Sequence, residues 1–256
     1  MLEVKNLEFS YAKKKLFDDL NLKIGSGLYG LLGKNGAGKS SLLKLMSGEL
    51  YPSAGCCSAM GFDASKRIPE MLSEIYFLPE EFAFPGITGN EYVKLYSPFY
   101  PRFSMEFFSD CVEEFDIDSG KKLGSMSYGQ RKKFMISFGL ASWSKILLLD
   151  EPTNGLDIPS KSQFRRLAAA GASDDRVILI STHQVRDVEN LIDPVLIVDN
   201  GKIVFNHSME EITDNISFRL LDEEPSGKNV IYYEKSLGGY FTAFAERSEN
   251  SRAVDL

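Results

Sequence analysis

The segment Gly33–Ser40, GKNGAGKS, satisfies the pattern G-x-x-x-x-G-K-[S/T]. A short apolar run, Leu28–Leu32, precedes it, and apolar residues at helical spacing follow it: Leu42, Leu43, Leu45 and Met46. Between a strand and a helix, glycines allow backbone N–H groups to curl around a phosphate while the helix N-terminus faces it. Such a match arises by chance in about one chain of this length in a hundred. The segment therefore predicts a phosphate-binding loop in an α/β fold.

This loop supplies most of the candidate ligand-binding residues. Lys39 is expected to reach the β- and γ-phosphates of a nucleotide, and the Ser40 hydroxyl is expected to ligate Mg²⁺. The other residues expected to surround the phosphates are Gly33, Lys34, Asn35, Gly36, Ala37, Gly38 and Ser41.

A second motif, ILLLDEP, begins at Ile146. Its four aliphatic residues predict a buried strand that ends at Asp150, where a carboxylate can bind Mg²⁺ through water. Glu151, one residue further on, can act on the nucleophilic water as a general base. The alternative is an acidic turn between a strand and a loop, with no catalytic role. The phosphate-binding loop in the same chain favours the catalytic interpretation.

Composition limits the classes of protein that fit. The chain has 256 residues, of which 43% are hydrophobic and 25% charged, so a folded chain of one large or two small domains is expected. A net charge of -7 argues against a general electrostatic grip on nucleic acid. No apolar stretch reaches the length of a membrane span, and the N-terminus does not resemble a signal peptide. The three cysteines form no CxxC pair, so a reduced, cytosolic setting is expected without a zinc site or disulfide framework.

The first two thirds of the chain change character at about Pro79. Before it, alternating apolar residues predict strands in the first thirty residues. From Pro79 to about Asp118 the chain is rich in aromatic residues and prolines, which predicts a helical insertion with a small core of its own. We interpret its aromatic stripe as packing rather than as a ligand site.

The last third returns to alternating elements. Continuous apolar runs at Ile146–Asp150 and Val177–Thr182 predict parallel strands that are buried on both faces. The pair Asn200-Gly201 predicts a two-residue hairpin. Alternation beyond His207 predicts a small β-rich tail, and the final letters, SRAVDL, resemble the start of a helix.

A third motif carries a family resemblance. The segment Ser125–Gln130, SMSYGQ, resembles the LSGGQ signature of ABC ATPases, and it lies about twenty residues before Asp150, as that family requires. Met126 replaces the usual leucine and Tyr128 replaces the first glycine. Ser127, Gly129 and Gln130 match the signature, and the resemblance implies that they bind ATP. Together with the other two motifs, this set resembles the single-cassette ATPases of bacterial ABC exporters, of the antibiotic-resistance and bacitracin-export kind.

The resemblance implies roles for four further residues. Tyr11 matches the aromatic that stacks on adenine, although a plain strand aromatic is the alternative. Asp157, in PTNGLD, matches the acidic residue of the D-loop, and His183 matches the switch histidine that contacts the γ-phosphate. Glu80 stands where the family normally has a glutamine that touches Mg²⁺, and we expect it to ligate the metal. Its charge would make the phosphate site more negative.

The resemblance also implies a fold. A P-loop core with a parallel central sheet is expected, with an N-terminal antiparallel β-subdomain and an inserted helical subdomain at about residues 80–142. The ATPase domain is assigned to residues 1–215. Residues 216–256 are assigned to a small β-rich extension.

The function implied is that of an ATP-binding and ATP-hydrolysing subunit with Mg²⁺ as cofactor. In this family two cassettes enclose two ATP molecules head to tail, so a homodimer or a paralogous partner is expected. A separate transmembrane permease is the second expected partner, which places the chain in the cytoplasm at the inner face of the membrane. The resemblance implies transport in the direction of export, and no nucleic acid is expected as a partner. The alternatives are a soluble ABC protein acting on DNA or ribosomes, and a P-loop kinase.

Overall fold

The computed structural model describes residues 1–12, 14–227 and 229–245. They form two compact units, Met1–Asn206 and a second unit that begins at His207. The strands that begin before the boundary are β1 (Leu2–Tyr11), β2 (Lys14–Ile24), β3 (Gly27–Leu32), β4 (Ala54–Ala59), β5 (Phe62–Asp63), β6 (Ile75–Leu78), β7 (Ile146–Asp150), β8 (Val177–Thr182), β9 (Val195–Asp199) and β10 (Lys202–His207). The helices of the first unit are α1 (Lys39–Ser47), α2 (Pro69–Leu72), α3 (Gly89–Tyr96), α4 (Met105–Glu114), α5 (Tyr128–Ala141) and α6 (Ile158–Ala170).

The central sheet has the strand order β10-β9-β3-β8-β7-β6, and the pairs from β9 to β6 are parallel. Every residue of β7 and β8 is buried, which explains why both strands read as continuous apolar runs. Because the strands are parallel, the residues that follow β3, β6, β7 and β8 meet at one edge of the sheet. The phosphate-binding loop, Glu80, Glu151 and His183 follow these four strands.

A second, antiparallel sheet is formed near the N-terminus, in the order β2-β1-β4-β5. Its alternating apolar residues face a core shared with helix α1, and Phe17 of β2 and Leu42 of α1 are fully buried. Strand β1 ends at Tyr11, which pairs with Lys14 across the β1–β2 turn. The fold class expected from the resemblance is therefore confirmed.

The insertion between β6 and β7 is helical and has an aromatic core. Phe108, Phe134 and Phe138 are buried there, and the rings of Tyr92 and Phe138 lie 5.3 Å apart, edge to face. These contacts confirm that the aromatic stripe packs into the core of the insertion. They hold helix α5, whose first residue is Tyr128, against the rest of the insertion.

The remaining elements agree with the turn chemistry of the sequence. Asn200 and Gly201 both have positive φ, +46° and +74°, as the hairpin between β9 and β10 requires. Cys56, Cys57 and Cys111 are free thiols. Among the described residues, no helix is both long and apolar enough to cross a membrane.

The second unit contains a helix that the sequence pattern did not indicate. This helix is α7 (Met209–Asn215). The rest of the unit is an antiparallel sheet of β11 (Ser217–Leu221), β12 (Val230–Ser236) and β13 (Gly239–Phe244), in the order β11-β13-β12. The unit boundary precedes α7, whereas the division made from the sequence follows it. The helix predicted at SRAVDL lies outside the described residues.

Candidate nucleotide-binding site

The loop between β3 and α1 adopts a backbone that two glycines make possible. At Gly38, φ is +112°, and a Cβ would lie 2.9 Å from the ring of Phe17. At Gly33, φ is +155°, and a Cβ would lie 2.4 Å from the carbonyl oxygen of Val198. Gly38 is also the N-cap of α1, and no side chain hydrogen bonds to the start of that helix. The first N–H groups of α1 are therefore suited to an anion.

A cavity of about 400 Å³ opens over this loop. Lys39 is buried in its wall, and its Nζ donates to the carbonyl oxygen of Gly33 at 2.7 Å and lies 3.7 Å from Glu151 Oε1. The lining residues are Tyr11, Lys14, Leu16, Asn35, Gly36, Gly38, Lys39, Ser40, Ser41, Glu80 and Glu151. The structure thus brings the loop together with two of the three candidate carboxylates around a space fit for phosphates.

The third carboxylate, Asp150, is 2% exposed and accepts a hydrogen bond of 2.5 Å from Ser181 Oγ. Ser181 also accepts the N–H of Glu151, through both its carbonyl oxygen and its Oγ at 3.1 Å. Glu151 has a φ of +46°, a strained value for a residue with a side chain. Ser181 therefore holds both acidic residues, a role that sequence reasoning missed. A serine inside the apolar run Val177–Thr182 was the available signal.

The Glu151 side chain has a second partner in His183. Its Oε1 lies 2.9 Å from His183 Nδ1, and His183 Nε2 lies 3.2 Å from Gln184 Nε2. Lys39 and His183 therefore both contact the carboxylate expected to act as the base. His183 lines a second space of about 420 Å³, together with Gly33, Lys34 and Asn35 of the phosphate-binding loop.

The main chain of Glu151 is held by a lysine that sequence reasoning also missed. Lys132 of α5 is fully buried, and its Nζ donates to the carbonyl oxygen of Glu151 at 2.5 Å. Burial lowers the pKa of Lys132, because it disfavours the charged form, while the charges of nearby carboxylates oppose that effect. Lys132 lies in the basic run at residues 131–133, so nothing in the sequence indicated that this lysine is buried.

Glu80 is bound to residues of two other segments. Its Oε1 accepts from Asn154 Nδ2 at 2.8 Å, and its carbonyl oxygen accepts from the Tyr128 hydroxyl at 2.9 Å. The ring of Tyr128 stacks on Phe82, with centroids 6.1 Å apart. Burial raises the pKa of Tyr128.

The signature residues form the N-terminus of α5. Ser127 is the N-cap, and its Oγ accepts the N–H of Gln130 while Gln130 Oε1 accepts the N–H of Ser127. Asp157 caps α6 by accepting the N–H of Ser160. Hydrogen bonding from the Ser160 side chain, and then from its N–H, lowers the pKa of Asp157. Among the described residues that line the cavity over the phosphate-binding loop, none belongs to the signature or is Asp157.

Tyr11 lies at the rim of the cavity and is 50% exposed. Its hydroxyl and the Ser41 Oγ are 3.2 Å apart, and its ring meets Phe9 edge-on at 4.8 Å. Half of the Tyr11 side chain is therefore accessible to a ligand at the rim of the cavity.

The donor set at the cavity suits a hard cation. Ser40 and Glu80 line the cavity and offer hydroxyl and carboxylate oxygens, the ligands that Mg²⁺ prefers. Asp150 offers a further carboxylate, but it is buried at the end of β7 and does not line the cavity. Within the described part of the chain, no group of three or more His, Cys, Asp or Glu side chains is arranged to hold a metal. Mg²⁺ at phosphate sites typically has one or two carboxylates and completes its shell with substrate phosphates and water. The residues present fit that mode of binding.

Comparisons with known proteins identify the family of this chain. A family model described as ABC transporter matches residues 17–154, more than half of the chain. The ABC transporter ATP-binding protein NatA of Bacillus subtilis is 29% identical over 233 residues, which cover 88% of this chain and 92% of NatA. The bacitracin transport ATP-binding protein BcrA of Bacillus licheniformis is 28% identical over 244 residues, which cover 92% of this chain and 79% of BcrA.

A solved structure shows the same fold. It is a dimeric, post-hydrolysis state of the ATP-binding cassette MJ0796 bound to ADP and Pi, with a TM-score of 0.70 at 19% identity, covering 82% of this chain and 99% of the other. The family match and the two relatives agree with the family that the motifs indicated. The chain belongs to the ABC transporter family and is an ATP-binding subunit with ATPase chemistry.

Proposed function

We propose that two copies of this cassette, or one copy and a paralogue, bind head to tail and enclose two ATP molecules between them. The observation that carries this proposal is the separation of the motifs within one chain. The cavity is lined by the phosphate-binding loop but not by Ser127, Gly129 or Gln130. A signature supplied by a second chain would complete the γ-phosphate site, with the Ser127 hydroxyl and the N-terminus of α5 as donors.

In this proposal the candidate residues take the following roles. Lys39 binds the β- and γ-phosphates, and Tyr11 stacks on adenine. Glu151 accepts a proton from the attacking water, and His183 orients Glu151 and contacts the γ-phosphate. Asp157, as the D-loop acid, acts at the interface between the chains.

Mg²⁺ would be held by Ser40, Glu80 and Asp150. When bound, it neutralises charge on the β- and γ-phosphates. Asp150, which is buried and held by Ser181, would bind it through water. Glu80 adds a carboxylate that the family's usual glutamine lacks.

The cassette would power a separate membrane permease from the cytoplasmic side, and the direction would be export, as the resemblance to single-cassette exporter ATPases implies. The relative from Bacillus licheniformis is named a bacitracin transport ATP-binding protein. A surface that fits such a partner is a groove of about 690 Å³ lined largely by apolar residues: Pro69, Leu72, Tyr96, Pro98, Phe99, Tyr100 and Pro101. Phe99 is 64% exposed, and exposed apolar patches mark contact sites. Residues 1–215 would form the ATPase domain, with residues 216–256 as an extension.

The proposal is tested with Glu151→Gln. Loss of a general base costs about 10²- to 10⁴-fold in rate, so hydrolysis should collapse while ATP still binds. The amide also removes a negative charge beside the triphosphate, where screening in a closed interface is weak. ATP should therefore convert the variant into a lasting dimer, visible by size-exclusion chromatography.

Glu49→Gln, which changes an exposed carboxylate outside the cavity, is the matched control and should behave as wild type. Near-normal hydrolysis by folded Glu151→Gln would contradict the role of the base. Lost hydrolysis without ATP-dependent dimers would contradict the self-sufficient homodimer.

A further inference from the structure

Helix α5 connects the signature of this chain to its own candidate base. Its N-cap is Ser127, and one turn into the helix Lys132 reaches the main chain of Glu151. In the proposed dimer, on which this inference rests, Ser127 touches the partner's nucleotide, whereas Glu151 acts on the nucleotide of its own chain. One rigid helical turn therefore lies between the two sites.

At the inner end of this turn, a buried lysine makes a hydrogen bond to the main chain of Glu151. The Lys132 side chain is fully buried, and its Nζ lies 2.5 Å from the carbonyl oxygen of Glu151. Burying an ammonium group is costly unless it is hydrogen-bonded and its charge is balanced. The carboxylates of Glu80, Asp150 and Glu151 supply that balance. Any outward displacement of Lys132 would break its hydrogen bond to the carbonyl.

The main chain of Glu151 needs such a partner. Its φ of +46° is kept only if neighbouring groups hold it. Ser181 binds the N–H on one side, and Lys132 binds the carbonyl oxygen on the other. The carboxylate is thereby presented to Lys39 and His183.

The contact at the outer end is made by Tyr128, which stands where the family has glycine. Its hydroxyl donates to the carbonyl oxygen of Glu80 at 2.9 Å and lies 3.4 Å from Lys132 Nζ. Tyr128 therefore links the first turn of α5 to the loop after β6 and to Lys132. Glycine could make none of these side-chain contacts.

We propose that Lys132 is a positioning residue for Glu151, and that Tyr128 makes this positioning depend on the signature turn. A nucleotide that docks on the signature of one chain then adjusts the base of that same chain. The two ATP sites of the dimer are coupled through α5 as a result.

The first test replaces Lys132 with methionine, which keeps the length and removes the donor. A misplacement of about 1 Å can cost 10²-fold, so we expect kcat to fall about 100-fold while the affinity for ATP is unchanged, because Lys132 does not line the cavity. Lys133→Met is the matched control, since Lys133 lies over the ring of Phe115 instead, and should leave kcat near wild type. Lys132→Gln, whose amide can still donate, should recover part of the rate.

A double-mutant cycle separates positioning from a general structural role. If Lys132 acts through Glu151, single-turnover hydrolysis by Lys132→Met with Glu151→Gln should be no slower than by Glu151→Gln alone. Additive losses would overturn the positioning role. This comparison is independent of the dimerisation assay for Glu151→Gln. A failure of the positioning role of Lys132 is therefore distinguishable from a failure of the proposed dimer.

The second test is Tyr128→Phe, which keeps the ring and removes only a hydroxyl. We expect the Hill coefficient of ATP hydrolysis to fall toward one, the value for independent sites, while ATP binding to the isolated chain is unchanged. This variant carries the test if Lys132→Met does not fold. Wild-type cooperativity in Tyr128→Phe, or a wild type without cooperativity, would overturn the coupling.

Discussion

Lys39→Ala tests the phosphate-binding assignment most simply. The substitution removes an ammonium group that is 6% exposed, 2.7 Å from the carbonyl oxygen of Gly33 and 3.7 Å from Glu151 Oε1. It leaves the carboxylates of Glu80 and Glu151 in the cavity wall without this cation. Repulsion between these groups and a triphosphate would then oppose binding.

The size of the effect follows from linkage. ATP·Mg at 100 times its dissociation constant stabilises the folded chain by about 2.7 kcal/mol. For a chain of this length, that corresponds to a rise in melting temperature of about 5–10 °C. Loss of a charged hydrogen-bond donor costs about 3 kcal/mol, or more than about 100-fold in dissociation constant. The same ATP concentration would then stabilise the variant by less than about 0.4 kcal/mol.

The assay is thermal unfolding with and without ATP·Mg. Wild type and Lys44→Ala, a change in the last turn of the same helix, should both show the rise, whereas Lys39→Ala should show about 2 °C or less. Equal rises in Lys39→Ala and wild type would refute the assignment of the loop.

Three further substitutions probe the rest of the cavity. Tyr11→Ala should weaken the binding of adenine and guanine nucleotides alike by about 1–3 kcal/mol, because stacking depends on the face of the base and not on its hydrogen-bonding groups, whereas Tyr11→Phe should bind as wild type. Unchanged nucleotide affinity in a titration of Tyr11→Ala would mean that Tyr11 is only a strand residue. Glu80→Gln should retain hydrolysis with an altered Mg²⁺ dependence, because the amide oxygen can still accept from Asn154; a folded but inactive variant in an ATPase assay would contradict this. Ser181→Ala should lower the free energy of unfolding by about 1.5–3 kcal/mol and slow hydrolysis, since Asp150 loses its partner; a wild-type denaturation curve would contradict it.

Much of the fold could be predicted from local sequence. The glycines at positions 33 and 38 mark backbone conformations that a side chain would block, so the loop is visible in the sequence. The strand β7 is buried on both faces and therefore reads as four consecutive aliphatic residues before Asp150. Family membership followed from the order and spacing of the motifs and is confirmed by the comparisons.

The contacts that hold the site could not be predicted in this way. Ser181 and Asp150 are 31 residues apart, Lys132 and Glu151 are 19 apart, and Asn154 and Glu80 are 74 apart. Each contact depends on how two strands or a strand and a helix come together, which no local period encodes. A polar residue inside an apolar run was the available signal at Ser181, whereas Lys132 stands between Arg131 and Lys133 and carried no such signal.

The central claim is that each ATP is hydrolysed between two chains, and mixing two inactive variants tests it most directly. Lys39→Ala lacks a working phosphate-binding loop, and Ser127→Arg blocks the signature with a bulky side chain while its own loop still binds ATP. A mixed dimer pairs an intact loop with an intact signature at one site only. The account predicts that each variant alone is inactive and that the mixture hydrolyses ATP. A mixture that forms mixed dimers, as shown by co-purification of differently tagged chains, and yet has no ATPase activity would contradict it.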